Sequence, residues 1–210
     1  MKIQILVDNT DSWILPYAEE LKNELLEDGY DCSLIHHPNR VVEGDVLCLL
    51  SCEAIFRHLH KNRHNLVIHE SHLPKGRGWS PLTWQVLQGK NRIPITLFEA
   101  TEKVDAGEIY LRDVIELSGY ELLEEIKHQQ GVKTKALIHK FIQNYGQLES
   151  TPQQGKATYY RKRKPSDSEL DPEKPLKEQF NKLRVVDNER YPAFFKLNGH
   201  KYVLKIYREE

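Results

Sequence analysis

NLVIHESHLPKGRGWSPLTWQVLQGK, residues 65–90, contains a strand, a loop and a helix in turn. Residues 65–69 are a short apolar run that ends in a histidine, and residues 80–90 have helical apolar spacing before Gly89. Between them, Pro74, Gly76 and Gly78 favour a defined shape with exposed backbone for a basic loop. A strand, a fixed loop and a helix in this order predict one unit of an α/β layer structure.

The same alternation of strand and helix runs through the first ninety residues. Helix caps at residues 9–12 follow the first strand, and Gly29 ends the helix after them. Such alternation predicts a mostly parallel central sheet. The predicted strands are 2–9, 31–37, 44–51 and 65–69, and the predicted helices are 13–29, 53–63 and 80–90.

The pattern changes after residue 90. Two β-rich runs, 93–100 and 108–117, are joined by a polar loop and are expected to pair as antiparallel neighbours. A long amphipathic helix is expected at about 120–145. We expect a catalytic domain at 1–147 and a C-terminal extension at 148–210. The extension combines a largely irregular arm with a β-hairpin that turns at Asn198-Gly199.

Charge and cysteine content limit the function classes. The 30 Lys and Arg residues balance 31 Asp and Glu residues, so nothing draws the whole chain to nucleic acid or to a membrane surface. Three cysteines argue against a disulfide framework, and no apolar run approaches the length of a membrane helix. We expect the first residues to form a strand rather than a signal sequence, because they have no apolar signal region or cleavage site. We therefore expect a soluble cytoplasmic protein without a nucleic-acid or membrane partner.

Two residues are candidates for chemistry. His69 stands at the carboxyl end of a strand, where ligands bind in open α/β sheets. Asp105, in KVDAGEI, could meet His69 across the sheet edge, fix its tautomer and share its proton load. The simpler interpretation is a structural histidine and a turn aspartate.

The motifs point to a family. HESHLPKGRG, followed by a helix, a strand and VDAGEI, resembles the folate-dependent formyltransferases, and residues 155–171 and 188–195 resemble segments of bacterial nucleotide-sugar N-formyltransferases. The resemblance implies a Rossmann-like α/β fold with a mixed sheet, and 10-formyltetrahydrofolate as co-substrate. It also implies that His69 polarises the formyl oxygen or manages the proton of the attacking amine, while Asp105 orients His69.

One position departs from the family pattern. The family has an asparagine two residues before the histidine, where it donates to the formyl oxygen, and this chain has Val67 there. Asn65 shares the face but lies about 13 Å from His69 along an extended strand. Ser71, His72, backbone N–H groups or a bound water are the alternative donors. Glu70 is expected to point to the opposite face.

The resemblance also assigns binding residues. Folate would contact two loops and the wall next to His69. These residues are Ser51, Cys52, Glu53, Ser71, His72, Leu73, Pro74, Thr101, Glu102, Lys103 and Val104. The amine substrate would meet polar and aromatic side chains, with Lys75 and Arg77 facing a pyrophosphate. The full substrate set is Asn9, Ser12, Trp13, Lys75, Arg77, Trp79, Tyr159, Tyr191 and Phe194.

Several amines are used by the wider family. Methionyl-tRNA is disfavoured by the length and charge of the chain, and glycinamide ribonucleotide by the lack of glycine in DNTDSW. We therefore expect a UDP- or dTDP-linked 4-amino-4,6-dideoxy sugar of bacterial glycan biosynthesis, as in pseudaminic-acid-type pathways.

Other hypotheses on function and assembly are also compatible with the sequence. The chain could be a non-catalytic folate- or nucleotide-sugar-binding module, or act on a different primary amine. The exposed hairpin favours a homodimer. A metal site among the clustered histidines is disfavoured, because no acidic or cysteine partner has ligand spacing. These histidines are His58, His60, His64, His69 and His72.

Overall fold

The computed structural model describes residues 1–209, and Glu210, the last residue of the predicted extension, lies outside the described residues. The helices are α1 (Leu15–Glu27), α2 (Pro81–Leu87), α3 (Leu123–Gln143) and α4 (Leu176–Arg184). The strands are β1 (Lys2–Leu6), β2 (Asp31–Ile35), β3 (Gly44–Leu49), β4 (Asn62–His69), β5 (Arg77–Gly78), β6 (Arg92–Glu99), β7 (Ile109–Glu116), β8 (Tyr159–Tyr160), β9 (Ala193–Leu197) and β10 (His200–Leu204).

Six of these strands form one mixed sheet in the order β2-β1-β3-β4-β6-β7. The first four in this order are parallel, whereas β6 pairs antiparallel with both β4 and β7. The predicted mixed, mostly parallel sheet is confirmed. The short connection between β6 and β7 is compatible only with antiparallel neighbours, because parallel strands need a long crossover.

Apolar side chains cover both faces of this sheet. On one face, α1 and α3 pack against alternate strand residues such as Ile5, Cys48 and Leu66. On the other face, Leu6 and Leu47 belong to a smaller cluster. A sheet buried on both faces explains why its central strands read as continuous apolar runs.

The predicted helix at 53–63 is wrong. Only Leu59–Lys61 form a single 3₁₀ turn, and β4 already begins at Asn62. Phe56 is buried against Leu6 and Leu47, while Ile55 is mostly exposed. Packing on the sheet therefore fixes an irregular chain where local spacing favoured a helix.

The C-terminal segment is more ordered than its composition indicated. β8 pairs in parallel with β5, and α4 follows a 3₁₀ turn at Pro165–Ser168. The predicted hairpin is confirmed, since β9 and β10 are antiparallel and both turn residues have positive φ. Among the helices within residues 1–209, none is long and apolar enough to cross a membrane.

Candidate functional site

His69 is the last residue of β4, between β3 and β6. Its ring is mostly covered, and Nε2 lies 2.8 Å from the carbonyl oxygen of Gly76. A carbonyl only accepts hydrogen bonds, so Nε2 carries a hydrogen and donates it. The loop after β4 therefore sets the tautomer of this histidine.

Asp105 comes from the loop between β6 and β7 and faces the same imidazole. Its Oδ2 accepts the N–H of Gly78 at 2.8 Å and lies 3.9 Å from Nε2 of His69. The two side chains are only 9% and 10% exposed. At this distance the carboxylate interacts with the ring through charge rather than through a direct hydrogen bond.

The backbone around Asp105 is unusual. Asp105 has a φ of 53°, a left-handed conformation that aspartate tolerates better than most residues. At Gly107, an added Cβ would lie 1.7 Å from the carbonyl oxygen of Glu99, so this position admits only glycine. The Asp-x-Gly spacing therefore lets the loop turn tightly against the end of β6.

Val67 lies on the same face of β4 as His69. It packs with Leu73, Phe98 and Ile109 in an apolar cluster, of which those three are fully buried. An aliphatic side chain in this cluster offers no donor to an oxyanion. The valine that departs from the family pattern is therefore part of the apolar packing next to His69.

Asn65 does not replace the missing asparagine. Its Nδ2 donates to the carbonyl of Leu59 at 2.9 Å, and its backbone N–H donates to a carboxylate oxygen of Glu99 at 2.6 Å. These partners lie toward the start of β4, away from His69. The Asn65 amide therefore has a structural role at the opposite end of the strand.

Glu70 turns toward α3. Its Oε1 accepts Nε2 of Gln130 at 2.8 Å, and its carbonyl accepts Nε2 of Gln85 at 2.6 Å. Burial raises the pKa of this carboxyl above its ordinary value, although the nearby His69 lowers it. Glu70 thus supports the end of β4 from the face opposite Val67.

The predicted folate residues fall into three places. Ser51, Cys52 and Glu53 follow β3 and are tied to the end of β1, where the Asp8 carboxylate accepts the Glu53 N–H at 2.9 Å. The loop of Thr101, Glu102, Lys103 and Val104 is exposed beside Asp105. In the loop after β4, His72 is exposed, whereas Ser71, Leu73 and Pro74 are buried.

The predicted substrate residues are spread more widely. Asn9 donates to Glu53 at 2.7 Å, Ser12 accompanies it in the loop after β1, and the Trp13 ring meets Tyr17. Trp79 and Tyr159 expose 50% and 66% of their surface, and Lys75 is also exposed. Arg77 is buried instead, with Nη2 2.6 Å from Oε1 of Gln153.

Tyr191 and Phe194 lie in the predicted C-terminal extension, residues 148–210. Phe194 is buried, and Nζ of Lys201 sits 4.0 Å from its ring centre. The Tyr191 carbonyl accepts a hydrogen bond from Ser168. These two residues therefore pack within the extension.

Sequence reasoning missed two residues that touch the site. Gln153 contacts the Asp105 loop and Thr158 contacts the loop after β4. Both belong to the segment expected to be irregular. No local periodicity marks them, because their partners are about fifty to eighty positions away.

Known structures share this architecture. A methionyl-tRNA formyltransferase from Clostridium thermocellum matches with a TM-score of 0.78 and 23% identity over 96% of this chain and 90% of that chain. HypX from Aquifex aeolicus in complex with tetrahydrofolic acid matches with 0.74 and 22%, over 96% of this chain and 36% of that chain. A sugar N-formyltransferase from a Shewanella species matches with 0.71 and 14%, over 100% and 98%. These likenesses show the fold.

A family match complements the shared fold. The formyl transferase family model matches residues 37–141, half of the chain. The match includes β4 with His69 and the loop with Asp105. It is the match of this segment that establishes the relationship: the chain belongs to the formyl transferase family.

Proposed function

We propose that this formyltransferase moves a formyl group from 10-formyltetrahydrofolate to the amine of a nucleotide-linked amino sugar. The single observation that carries the proposal is the 3.9 Å approach of His69 Nε2 to Asp105 Oδ2. His69 comes from the end of β4 and Asp105 from the loop between β6 and β7, and their side chains meet where both are largely covered. A histidine beside a carboxylate in such a setting is suited to proton transfer.

The proposed reaction exchanges one amine proton for the formyl group. The amine nitrogen attacks the formyl carbon, and the carbonyl oxygen becomes the oxyanion of a tetrahedral intermediate. Collapse of the intermediate breaks the bond to N10 of the folate, and N10 gains the proton that the amine loses. Because Nε2 of His69 donates to Gly76, Nδ1 is the ring atom that accepts this proton, and Asp105 stabilises the resulting imidazolium.

The oxyanion needs donors other than a side chain at position 67. Val67 is aliphatic and packs against Leu73 and Phe98. We assign stabilisation of the oxyanion to the loop after β4, through its backbone N–H groups or the Ser71 and His72 side chains. Such donors contribute most where water is excluded, as it largely is around His69.

The folate donor is supported by a structural neighbour and by the loop beside Asp105. HypX from Aquifex aeolicus, of which 36% matches this chain, has a structure in complex with tetrahydrofolic acid. In this chain, residues 101–104 are exposed, and they include the apolar Val104 next to Asp105. A flat heterocycle needs an apolar contact together with a few well-placed polar groups. We place the pterin along this segment, with Ser51–Glu53 on its other side.

The amino-sugar substrate is supported by the exposed aromatic residues near His69. Trp79 follows β5 directly, and Tyr159 lies in β8, which pairs with β5. Nζ of Lys162 lies 4.7 Å from the Trp79 ring centre, so a positive charge accompanies the aromatic face. A base or sugar face can stack on these rings while Lys75 and Lys162 neutralise a pyrophosphate.

Charge, rather than length, separates this proposal from a tRNA substrate. The chain covers 90% of the matched methionyl-tRNA formyltransferase chain, so length alone does not separate the two substrate classes. The net charge of −1 still provides no general attraction for the tRNA backbone. The match to the Shewanella sugar N-formyltransferase, over 98% of that chain, supports the sugar class.

We test the proposal by incubating the chain with 10-formyltetrahydrofolate and a panel of UDP- and dTDP-linked 4-amino-4,6-dideoxy sugars. Mass spectrometry should show a gain of one CO unit on an amino sugar. His69→Asn should lower turnover by about 10²–10⁴-fold, as expected for loss of a general acid–base. His200→Asn, which changes an exposed histidine of β10, is the matched control and should retain activity. Equal turnover of wild type and His69→Asn would refute the assignment.

Val67 favours a second candidate, a non-catalytic binding module of the same fold. Tetrahydrofolate should raise the melting temperature of either kind of protein. A rise in melting temperature without product from any amine in the panel would favour the binding module.

We further propose that the exposed Tyr202 and Val203 of β10 contact a second copy of the chain. Sedimentation analysis can measure whether the chain forms a dimer.

A further inference from the structure

The segment 151–160 of the C-terminal arm lies across both loops that hold the proposed catalytic residues. On one side it pairs with the loop after β4, and on the other it contacts the loop of Asp105. Two side chains, those of Thr158 and Gln153, make the polar contacts. Thr158 reaches the backbone of Gly76, which contacts His69, and Gln153 reaches the backbone of Asp105 and the side chain of Arg77.

Thr158 fixes the part of the loop that holds His69. Its Oγ1 accepts the Gly76 N–H at 2.8 Å, and its carbonyl accepts the Arg77 N–H at 2.9 Å. Gly76 is the residue whose carbonyl accepts Nε2 of His69. The position and tautomer of the imidazole therefore depend on Gly76. Thr158 holds Gly76 through the N–H of Gly76 itself and through the N–H of the next residue, Arg77.

Gln153 links the two loops with one side-chain amide. Its Nε2 donates to the carbonyls of Asp105 at 3.0 Å and Gly107 at 2.8 Å. Its Oε1 accepts Nη2 of Arg77 at 2.6 Å, and Arg77 is 8% exposed. The side-chain amide of Gln153 thus donates two hydrogen bonds and accepts one. Because its donors and acceptor lie in one plane, these three bonds determine its orientation.

The Asp105 loop needs such support. A left-handed φ at a residue other than glycine costs about 1–2 kcal/mol and persists only where the surroundings impose it. Gln153 holds the carbonyl of Asp105, while the Gly78 N–H holds its carboxylate. The arm and the loop after β4 together impose the conformation that faces Asp105 toward His69.

We propose that Gln153 and Thr158 are positioning residues of the formyl-transfer reaction. They set the distance between His69 and Asp105, so the C-terminal arm is a working part of the site. This proposal rests on the catalytic pair of the proposed function. Neither residue needs to touch the substrate, and both act through the two loops.

The test compares isosteric variants with matched controls from the same arm. Thr158→Val removes the acceptor of the Gly76 N–H and keeps the shape, whereas Thr158→Ser keeps the acceptor. Thr151→Val makes the same chemical change at a threonine that bonds Ile109, outside both loops. Gln153→Leu removes the amide, and Gln154→Leu, at the exposed neighbour, is its control.

If Gln153 and Thr158 act by positioning the catalytic pair, their substitution should lower kcat and leave KM nearly unchanged. A misplacement of about 1 Å can cost about 10²-fold in rate, so Thr158→Val and Gln153→Leu should lose 10- to 100-fold in kcat. KM for 10-formyltetrahydrofolate should change little, and Thr158→Ser and both controls should stay close to wild type. Melting temperatures of all variants check that the protein is folded. Unchanged kcat in both variants, or a loss in Thr158→Ser as large as in Thr158→Val, would overturn the proposal.

A second readout separates this proposal from the failure of the proposed function. The imidazole N–H resonance of His69 reports its hydrogen bond to Gly76 without any substrate. It should shift in Thr158→Val and stay in Thr151→Val. If wild type forms no product but the His69 resonance shifts in Thr158→Val, the formyl-transfer assignment is overturned and the positioning role is retained. An unshifted resonance in Thr158→Val would overturn the positioning role, whatever the activity.

Discussion

Nε2 of His69 lies 2.8 Å from the carbonyl oxygen of Gly76, seven residues later in the chain. This contact assigns the ring hydrogen to Nε2 and leaves Nδ1 as the basic nitrogen of the neutral ring. The same Nε2 faces the Asp105 carboxylate at 3.9 Å. A ring fixed by a backbone carbonyl and placed beside a carboxylate has one orientation for proton transfer.

We predict that the charge of Asp105, rather than its hydrogen bond, is needed for turnover. Asp105→Asn keeps an oxygen for the Gly78 N–H but loses the negative charge that would stabilise an imidazolium. We expect kcat to fall by about 10²–10⁴-fold, with a melting temperature close to wild type. Steady-state kinetics and thermal melting measure both quantities. Full activity of Asp105→Asn would contradict the role of the charge.

We predict that an alanine at position 78 separates the arm from the loop after β4. Gly78 has a φ of +94°, and an added Cβ would lie 2.5 Å from the carbonyl oxygen of Tyr160. Gly155 is the control, because its φ is +101° and nothing lies within 4 Å of an added Cβ. Gly155→Ala should cost about 1–2 kcal/mol of unfolding free energy through backbone strain alone. Gly78→Ala should cost more and also lower kcat, which denaturant titration and kinetics would show. Equal costs would argue against the close approach.

We predict that a buried ion pair attaches α4 to the segment that leads into α3. Arg184 is 1% exposed, and its Nη2 lies 3.0 Å from Oε2 of Glu121. Removing one partner of a buried pair leaves the other charge uncompensated, so Arg184→Met should cost about 3–5 kcal/mol of unfolding free energy. The double variant with Glu121→Gln should recover part of this loss. A double variant as unstable as Arg184→Met would show that lost packing is the main cost.

We predict that an asparagine at position 67 destabilises the protein. Val67 packs with the fully buried Leu73, Phe98 and Ile109, which offer an amide no side-chain partner. Val67→Asn should cost about 1–3 kcal/mol of unfolding free energy, whereas Val132→Asn, at an exposed position of α3, should be nearly neutral. Urea titration compares the two variants. A Val67→Asn protein as stable as wild type would indicate that the site can admit the amide.

We predict that the arm loses stability in acid through Asp167. The bidentate hydrogen bonds from Arg161 are the largest cause that lowers the pKa of Asp167 to about 2. A depressed pKa means that the stabilisation is present above the ordinary aspartate pKa and is lost as the pH falls toward about 2. The loss of melting temperature between about pH 4 and 2 should be smaller in Asp167→Asn. An identical pH profile would show that this pair does not stabilise the fold.

Much of the fold of residues 1–147 could be predicted from local patterns. Ile3, Ile5 and Val7 alternate into the core of the central sheet, and the two runs joined by TEKVDAG pair as β6 and β7. Periodicity of this kind is encoded within a few residues. The prediction at 53–63 was wrong because Phe56 packs on the sheet and overrides a weak helical pattern.

The extension could be predicted only where its structure is local. Asn198-Gly199 specifies the hairpin by its own backbone preference. Tyr159–Tyr160 become a strand through partners at Arg77–Gly78, so nothing in their neighbourhood indicates it. The buried position of Arg77 likewise depends on Gln153, which lies 76 residues away.

Local patterns were enough to predict most of the strands and helices, the hairpin, and the position of His69 at the end of a strand. Each of these depends on side-chain periodicity or on the preferences of a short backbone segment. Long-range packing alone brings the Gly76 carbonyl and the Asp105 carboxylate to the imidazole and places the arm against both loops. Those contacts join distant segments, and their geometry exists only after the chain has closed around its core.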